Sequence, residues 1–228
     1  MIRIRDLVVA DSAAIGHASY IRGAKTTFRL GGLLSTGRAT AIRLLFNSCD
    51  VNSRPSAKRD IMAFEIPREA LPLTTTSSEL VEAFTQATRI ALEELTRSWP
   101  MPLPAFCLVG AWRGGDLFAS LKLDKQPPGE LLLVIPTAVL EELARRYLGE
   151  EEPATPELLD DVAGEFANVI AGQAKTMLQG TPYHYTISTP KVYRSYPQIA
   201  AGRTYVVLPF EVDAGIFVVQ VALSDGPQ

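Results

Sequence analysis

Residues 155–180 read TPELLDDVAGEFANVIAGQAKTMLQG, and this stretch predicts a long helix with clear ends. Thr155 is a good N-cap residue, and Pro156 suits the first helical position because no amide proton is needed there. On the other side, Gly180 and Pro182 interrupt the helical pattern. We therefore expect a helix from about residue 156 to about residue 179.

The polar residues of this helix are predicted to share one face. At about 100° per residue, four positions without an apolar side chain cluster together: Asp161, Glu165, Asn168 and Gly172. The predicted core stripe lies elsewhere on the helix and consists of Leu158, Val162, Phe166, Val169 and Met177, with Ile170 just beyond it. An acid and an amide, Glu165 and Asn168, are thus expected to face away from the core.

Two glycines flank this acid and amide inside the helix. Gly164 and Gly172 each cost about 1 kcal/mol of helix stability relative to alanine. A helix that carries both is expected to allow another molecule to approach its backbone closely. Gly164 and Gly172, together with Asp161, are therefore predicted to contact a partner.

The segments before the helix give alternating helix and strand signals. A first helix is expected from Ser77 or Ser78, as N-cap, to Pro100. The segments AFCLVGAW (105–112) and DLFASLKL (116–123) predict a hairpin, and LLLVIP (131–136) predicts a third strand. A second helix is expected between Thr137, as N-cap, and Gly149.

Three strands are expected after the long helix. They are predicted from HYTISTPKVY (184–193), RTYVVLPFEV (203–212) and IFVVQVAL (216–223). Ser188 and Thr189, in the first of them, are expected to shape the entry to a strand and not to act as nucleophiles. The sequence thus predicts an α+β domain over residues 74–226, of order α-βββ-αα-βββ, with an antiparallel sheet covered by long helices on one face.

Composition excludes several kinds of site. The two cysteines, Cys49 and Cys107, and the two histidines, His17 and His184, are isolated, so neither a disulfide framework nor a metal site is predicted. No apolar run approaches the roughly 20 residues that span a bilayer, and charges interrupt the N-terminal segment, so we expect a soluble cytoplasmic protein that does not bind a membrane. Nucleic-acid binding is not expected either, because the arginines near the N-terminus are scattered.

Charge divides the chain near residue 62. Residues 1–62 hold ten of the 22 Lys and Arg and four of the 25 Asp and Glu, a net charge of +6, which leaves 12 basic and 21 acidic residues, net −9, for residues 63–228. Four interpretations of the basic segment, taken as 1–73, compete: a nucleic-acid arm, a transit peptide, a small subdomain, and a disordered extension or translated upstream sequence ahead of a true start at Met62. We favour the last, because its apolar residues keep no helical or strand period and its arginines do not cluster.

The motif strings together resemble a known family. The segments LLDDVAGEFANVIAGQAKTML and YTISTP resemble the CheX-type members of the CheC/CheX/FliY group of chemotaxis phosphatases. The resemblance extends over about residues 79–224 and includes LVEAFTQATRIALEEL, GGDLFASLKL and RRYLGEE. The first helix has Glu82 but Thr85 in place of a second asparagine, which favours the CheX-like branch with a single acid-x-x-Asn pair.

The resemblance implies hydrolysis of the phospho-aspartate of a CheY-like response regulator, in chemotaxis or another two-component pathway. Glu165 and Asn168 would be the catalytic pair: Asn168 would orient the attacking water, and Glu165 would pair with a lysine of the regulator. The regulator would supply Mg²⁺, so the protein itself would need no cofactor, and a homodimer is implied as well. The acidic domain has no evident cationic phosphate site, which agrees with a metal supplied by the partner.

Two alternatives remain open. The same fold could serve as a non-catalytic adaptor that binds a response regulator or forms part of a flagellar switch, although an adaptor has no need of both Glu165 and Asn168. A metal-dependent or acid–base hydrolase built on Asp161 and Glu165 is the weaker alternative, because no histidine or nucleophile lies near them in sequence.

Overall fold

The computed structural model describes residues 65–67, 69–73, 75–125, 128–149, 154–197 and 202–223, together with five short strands between residues 21 and 47. The chain divides into two units, Met1–Arg68 and Glu69–Gln228.

The described backbone of the first unit consists of short antiparallel strands. One sheet joins β1 (Ile21–Gly23), β2 (Thr26–Leu30) and β5 (Leu44–Asn47), and another joins β3 (Leu34–Thr36), β4 (Ala39–Ala41) and β6 (Glu65–Ile66). The start proposed at Met62 lies outside the described residues. The assignment of residues 1–73 to an extension therefore stays a prediction, as does the domain boundary at residue 74.

The second unit is built of three helices and one antiparallel sheet. Its helices are α1 (Thr75–Thr96), α2 (Thr137–Leu148) and α3 (Pro156–Met177). Its strands are β7 (Met101–Pro102), β8 (Phe106–Val109), β9 (Leu117–Asp124), β10 (Gly129–Ile135), β11 (Thr186–Ile187), β12 (Lys191–Tyr193), β13 (Thr204–Val212) and β14 (Gly215–Ala222). The α+β class and the antiparallel sheet are confirmed.

The sheet has four long central strands and a divided strand at each edge. Its order is β11-β9-β10-β14-β13-β7, with β12 also paired to β9 and β8 also paired to β13. Alternate residues of the central strands, such as Leu121, Leu133 and Val219, point to one face and join the helices in a single buried cluster. The helices therefore cover one face of the sheet, as expected.

The predicted hairpin between residues 105–112 and 116–123 is wrong. β8 pairs with β13, whereas β9 pairs with β10 and lies on the far side of β14. Residues 110–116 cross the sheet between them, and the fully buried Gln220 holds this crossing because its side chain donates to the carbonyl of Trp112 and accepts from its amide. The turn begins at Gly110, whose φ of 83° suits glycine.

The order of elements also differs in two details from the expected α-βββ-αα-βββ. The short strand β7 precedes β8, and residues 184–193 form two strands, β11 and β12, in place of one. Ser188 lies in the gap, where its hydroxyl accepts from the amide of Lys122 at 2.9 Å and donates to the carbonyl of Thr189. Its role at the strand entry is confirmed.

Two of the three predicted helix starts need correction. α1 begins at Thr75, so Ser77 and Ser78 lie inside its first turn and are not its N-cap. Thr137 is the first residue of α2 and not its cap, and the amide of Thr137 donates to Asp116 at 2.7 Å. Gly149 ends α2 with a φ of 69°, as predicted.

A charged network ties α2 to its neighbours. The guanidinium groups of Arg145 and Arg146 donate to Glu142 at 2.8–3.0 Å and hold the pKa of that carboxyl at about 2. Arg146 also reaches Ser98, just after α1, and Asp213, in the turn between β13 and β14. The network thereby joins α2 to the end of α1 and to the β13–β14 turn.

Candidate functional site

The α3 helix is held firmly near both ends. At its start, the Thr155 hydroxyl accepts from the amide of Leu158 at 3.3 Å, so the predicted N-cap is confirmed. Arg194 donates to the carbonyl of Pro156 and to Asp160, both at 2.7 Å. Near its end, the buried hydroxyl of Tyr185 donates to the carbonyl of Ala171 at 2.8 Å. A side chain on α3 is thus carried by a fixed backbone.

The predicted polar face of α3 is confirmed. Asp161 and Glu165 are exposed, and Asn168 and Gly172 are half-buried. Lys175, in the last turn, continues this row, so the spacing is four, three, four and three residues. We call these five residues the α3 stripe. In order, it presents two carboxylates, one carboxamide, a glycine without a side chain and one ammonium group.

The acid and the amide make no polar contact within the described chain. Within the described residues, the side chains of Asp161, Glu165 and Asn168 form neither a hydrogen bond nor an ion pair. By contrast, Asp160, on the next face of the helix, binds Arg194. The structure therefore presents Glu165 and Asn168 side by side on the helix, available to another molecule.

The two glycines of α3 are in different surroundings. A Cβ added at Gly172 would meet no atom within 4 Å, so this glycine lies on open surface. Gly164 is buried, and an added Cβ would touch Pro190 at 3.6 Å and Val192 at 3.7 Å. The expected open surface is therefore present at Gly172 and absent at Gly164, because β12 and the residue before it cover that side of the helix.

Replacement of Gly172 by alanine tests whether a partner uses this open surface. Because the added methyl group meets no atom, Gly172→Ala is expected to raise the free energy of unfolding by about 1 kcal/mol, measured by urea denaturation. If a partner packs against the backbone here, the same change lowers activity toward that partner. Gly164→Ala, whose methyl group would lie at ordinary contact distance inside the fold, is the matched control. Unchanged activity of the stabilised Gly172→Ala variant would contradict a close approach at this position.

The predicted core stripe of α3 is partly wrong. Val162, Phe166 and Ile170 are buried, as expected. Leu158 and Val169 are only half-buried, and Met177 is 39% exposed. The other buried positions hold small residues or leucine, namely Leu159, Ala163, Gly164, Ala167, Ala171 and Ala174.

The sides of the α3 stripe are set by its neighbours. On one side, Gln173 of α3 reaches Glu94 of α1 at 3.5 Å, and the ring of Tyr147 from α2 packs edge-on against Phe166. On the other side lie Pro190 and Val192. On α1, Glu82 is exposed and Thr85 is half-buried, so the position that would match Asn168 carries a hydroxyl.

Two kinds of feature are absent from the described residues. Their His, Cys, Asp and Glu side chains nowhere gather in a group of three that could hold a metal ion. None of the helices in the described part of the chain is long and apolar enough to cross a membrane.

Comparison with known proteins agrees with this architecture. Residues 118–211, which run from β9 into β13 and include the whole α3 stripe, match the protein-family model described as chemotaxis phosphatase CheX. Over this segment, which is less than half of the chain, the protein is similar to CheX. No curated protein sequence matches it.

Solved structures of CheX proteins share the fold of this chain. CheX from Desulfovibrio desulfuricans is 21% identical with a TM-score of 0.57, covering 64% of this chain and 99% of its own. CheX from Vibrio vulnificus is 19% identical with a TM-score of 0.56, covering 66% and 100%. The matching chain in the crystal structure of a CheX–CheY–BeF₃–Mg²⁺ complex from Borrelia burgdorferi is 19% identical with a TM-score of 0.51. The match covers 63% of this chain and 96% of that chain.

Proposed function

We propose that this protein hydrolyses the phospho-aspartate of a CheY-like response regulator, and that the α3 stripe enters the regulator's active site. One observation carries the proposal: Glu165 and Asn168 lie one turn apart on the outer face of a fixed helix, without a polar partner in the described chain. Buried carboxylates and amides are satisfied internally, whereas this pair is placed for a contact outside the molecule.

Asn168 orients the attacking water. Its carboxamide oxygen accepts a hydrogen bond from the water, its amide group can donate to a phosphoryl oxygen, and neither ionises at physiological pH. The water oxygen bonds to phosphorus as the bond to the aspartyl oxygen breaks. The carboxylate leaves with the bonding electrons, and the water proton passes to the product phosphate or to solvent. Phosphoryl transfer depends mainly on positioning and charge stabilisation, so one well-placed amide has a large effect.

Glu165 determines how the two proteins dock. As an exposed carboxylate one turn before Asn168, it pairs with a lysine of the regulator. An ion pair at a wet surface is worth about 0–1 kcal/mol, so its main effect is on orientation and choice of partner. Asp161, one turn before Glu165, extends the same negative surface.

The comparisons support this proposal. The family model that includes the α3 stripe carries the description of a chemotaxis phosphatase. A protein of the same fold was solved as a complex with CheY, BeF₃ and Mg²⁺. We propose by analogy that Mg²⁺ is bound by the regulator, where it neutralises phosphoryl charge, and that this chain brings no metal of its own.

Replacement of Glu165 tests the docking role. Glu165→Gln keeps the size of the side chain and removes its charge, so KM for the phosphorylated regulator is expected to rise about two- to fivefold with kcat little changed. The measurement is steady-state phosphate release at low ionic strength. Glu141→Gln, the same change at an exposed position on α2, is the control. An equal effect at both positions would show that overall charge, and not the stripe, attracts the regulator.

A decay experiment separates the phosphatase from the adaptor. A receiver domain labelled at its aspartyl phosphate is mixed with increasing amounts of the wild-type protein in the presence of Mg²⁺. The phosphatase accelerates loss of the label in proportion to its concentration. If the protein binds the phosphorylated receiver and the label decays at its own rate, the adaptor function is correct and the enzymatic proposal is wrong.

Two further expectations stay proposals. The resemblance implies a homodimer, which sedimentation equilibrium would measure directly. It also implies action in the cytoplasm, where response regulators work.

A further inference from the structure

The last member of the α3 stripe is Lys175, which closes the quoted motif GEFANVIAGQAK and had no predicted role. Lys175 lies three residues after Gly172 and seven after Asn168, so it is on the same face two turns further along. Seven residues return to nearly the same direction on an α-helix, and the rise between the two Cα atoms is about 10 Å. The position of Lys175 is therefore in line with the acid and the amide.

Backbone geometry directs this side chain toward Asn168. Side chains on an α-helix lean toward its N-terminus, so a long one covers the turn before its own Cα. For Lys175 that turn contains Gly172, which has no side chain and open space in front of it. The ammonium group can thus lie about one turn closer to Asn168 than its Cα does.

The ammonium of Lys175 has no polar contact within the described residues. No hydrogen bond or ion pair joins it to them, whereas Arg146, Arg194 and Arg203 each bind a carboxylate. A cation in the last turn of a helix is favoured by the helix dipole, which accounts for its sign. The dipole does not account for its alignment with Asn168 and a bare Gly172.

We propose that Lys175 binds the phosphoryl oxygens of the regulator's phospho-aspartate while Asn168 holds the water. This inference rests on the proposed function and adds a catalytic residue to it. The transition state of phosphoryl transfer spreads negative charge over the phosphoryl oxygens, and a fixed cation beside them stabilises it. The charges of the stripe run from negative at Asp161 to positive at Lys175, which favours one docking direction of the helix over the reverse.

The test compares Lys175→Gln and Lys175→Arg with wild type in steady-state hydrolysis of a phosphorylated receiver. Lys175→Gln is expected to lower kcat about 10- to 100-fold with KM within about threefold, and Lys175→Arg to keep most of the activity because the positive charge remains. Lys191→Gln removes the same charge from an exposed position on β12 and is expected to behave as wild type. Thermal unfolding of each variant verifies that it is folded.

Two outcomes would overturn the inference. Wild-type kcat in Lys175→Gln would show that the ammonium does not touch the reacting group. A rise in KM with unchanged kcat would show that Lys175 only attracts the partner. Asn168→Ala separates a failure of the role of Lys175 from a failure of the proposed mechanism. If Asn168→Ala is inactive while Lys175→Gln is fully active, only the role of Lys175 is wrong. If Asn168→Ala is fully active, the proposed mechanism is wrong.

Discussion

Asn168→Ala is expected to lower kcat for phospho-aspartate hydrolysis about 100-fold or more, while KM for the phosphorylated regulator changes less than about fivefold. The side chain is half-buried on the outer face of α3 and makes no polar contact with the described residues, so its removal leaves the fold intact. Without the carboxamide, the water is no longer held in line with phosphorus. Steady-state release of phosphate measures the effect.

Two further variants make this result specific. Gln173→Ala removes a carboxamide from the same helix, at a position that faces Glu94 of α1, and is expected to keep near wild-type activity. Asn168→Asp keeps the shape but places a negative charge next to the phosphoryl group. It is therefore expected to be at least as inactive as alanine. Equal losses in Gln173→Ala and Asn168→Ala would contradict a special role for the stripe.

Phe166→Ala is expected to lower the free energy of unfolding by about 3–5 kcal/mol, as measured by urea denaturation. The ring is 1% exposed and packs against Tyr147 with 5.8 Å between ring centroids, so its removal leaves a cavity under α3. Its neighbour Glu165 is exposed, and Glu165→Ala is expected to change stability by less than about 0.5 kcal/mol.

These adjacent residues test the orientation of α3 in the fold. If Glu165→Ala destabilises the protein as much as Phe166→Ala does, the side of the helix assigned to solvent is wrong. The function proposed for the stripe would then lose its basis.

The ends and the outer face of α3 could be predicted because they depend on local chemistry. Thr155 and Pro156 satisfy the needs of a helix start, and a fixed turn of about 100° per residue places Glu165 beside Asn168 whatever the rest of the fold does. The centre of the buried face could not be found in this way. It is lined by alanines such as Ala167 and Ala174, which a stripe defined by large apolar side chains overlooks.

The pairing of β8 could not be predicted for a different reason. Adjacent strands in sequence usually pair, but residues 110–116 cross the sheet, and Gln220 fixes that crossing from more than 100 positions away. The amide of Gln220 is fully buried and satisfied by the backbone of Trp112. Nothing in the local sequence of β8 or β14 indicates this contact.

Lys175 was missed because the charge of the domain was considered as a sum. A net charge of −9 over residues 63–228 conceals the position of each cation. The signal was present in the spacing of residues 161, 165, 168, 172 and 175, which repeats every three and four residues along one helix face. The role proposed for Lys175 depends on its alignment with Asn168 and Gly172 on one helix face.

Single-turnover decay at saturating protein tests the central claim most directly, because it separates chemistry from binding. Labelled phosphorylated receiver is mixed with Mg²⁺ and an excess of wild type or Asn168→Ala, and binding is followed in the same samples by fluorescence anisotropy of the receiver. We predict that both proteins bind, that wild type removes the label much faster than the receiver does alone, and that Asn168→Ala leaves the receiver's own rate nearly unchanged. Decay in the bound Asn168→Ala complex as fast as in the wild-type complex would contradict the account.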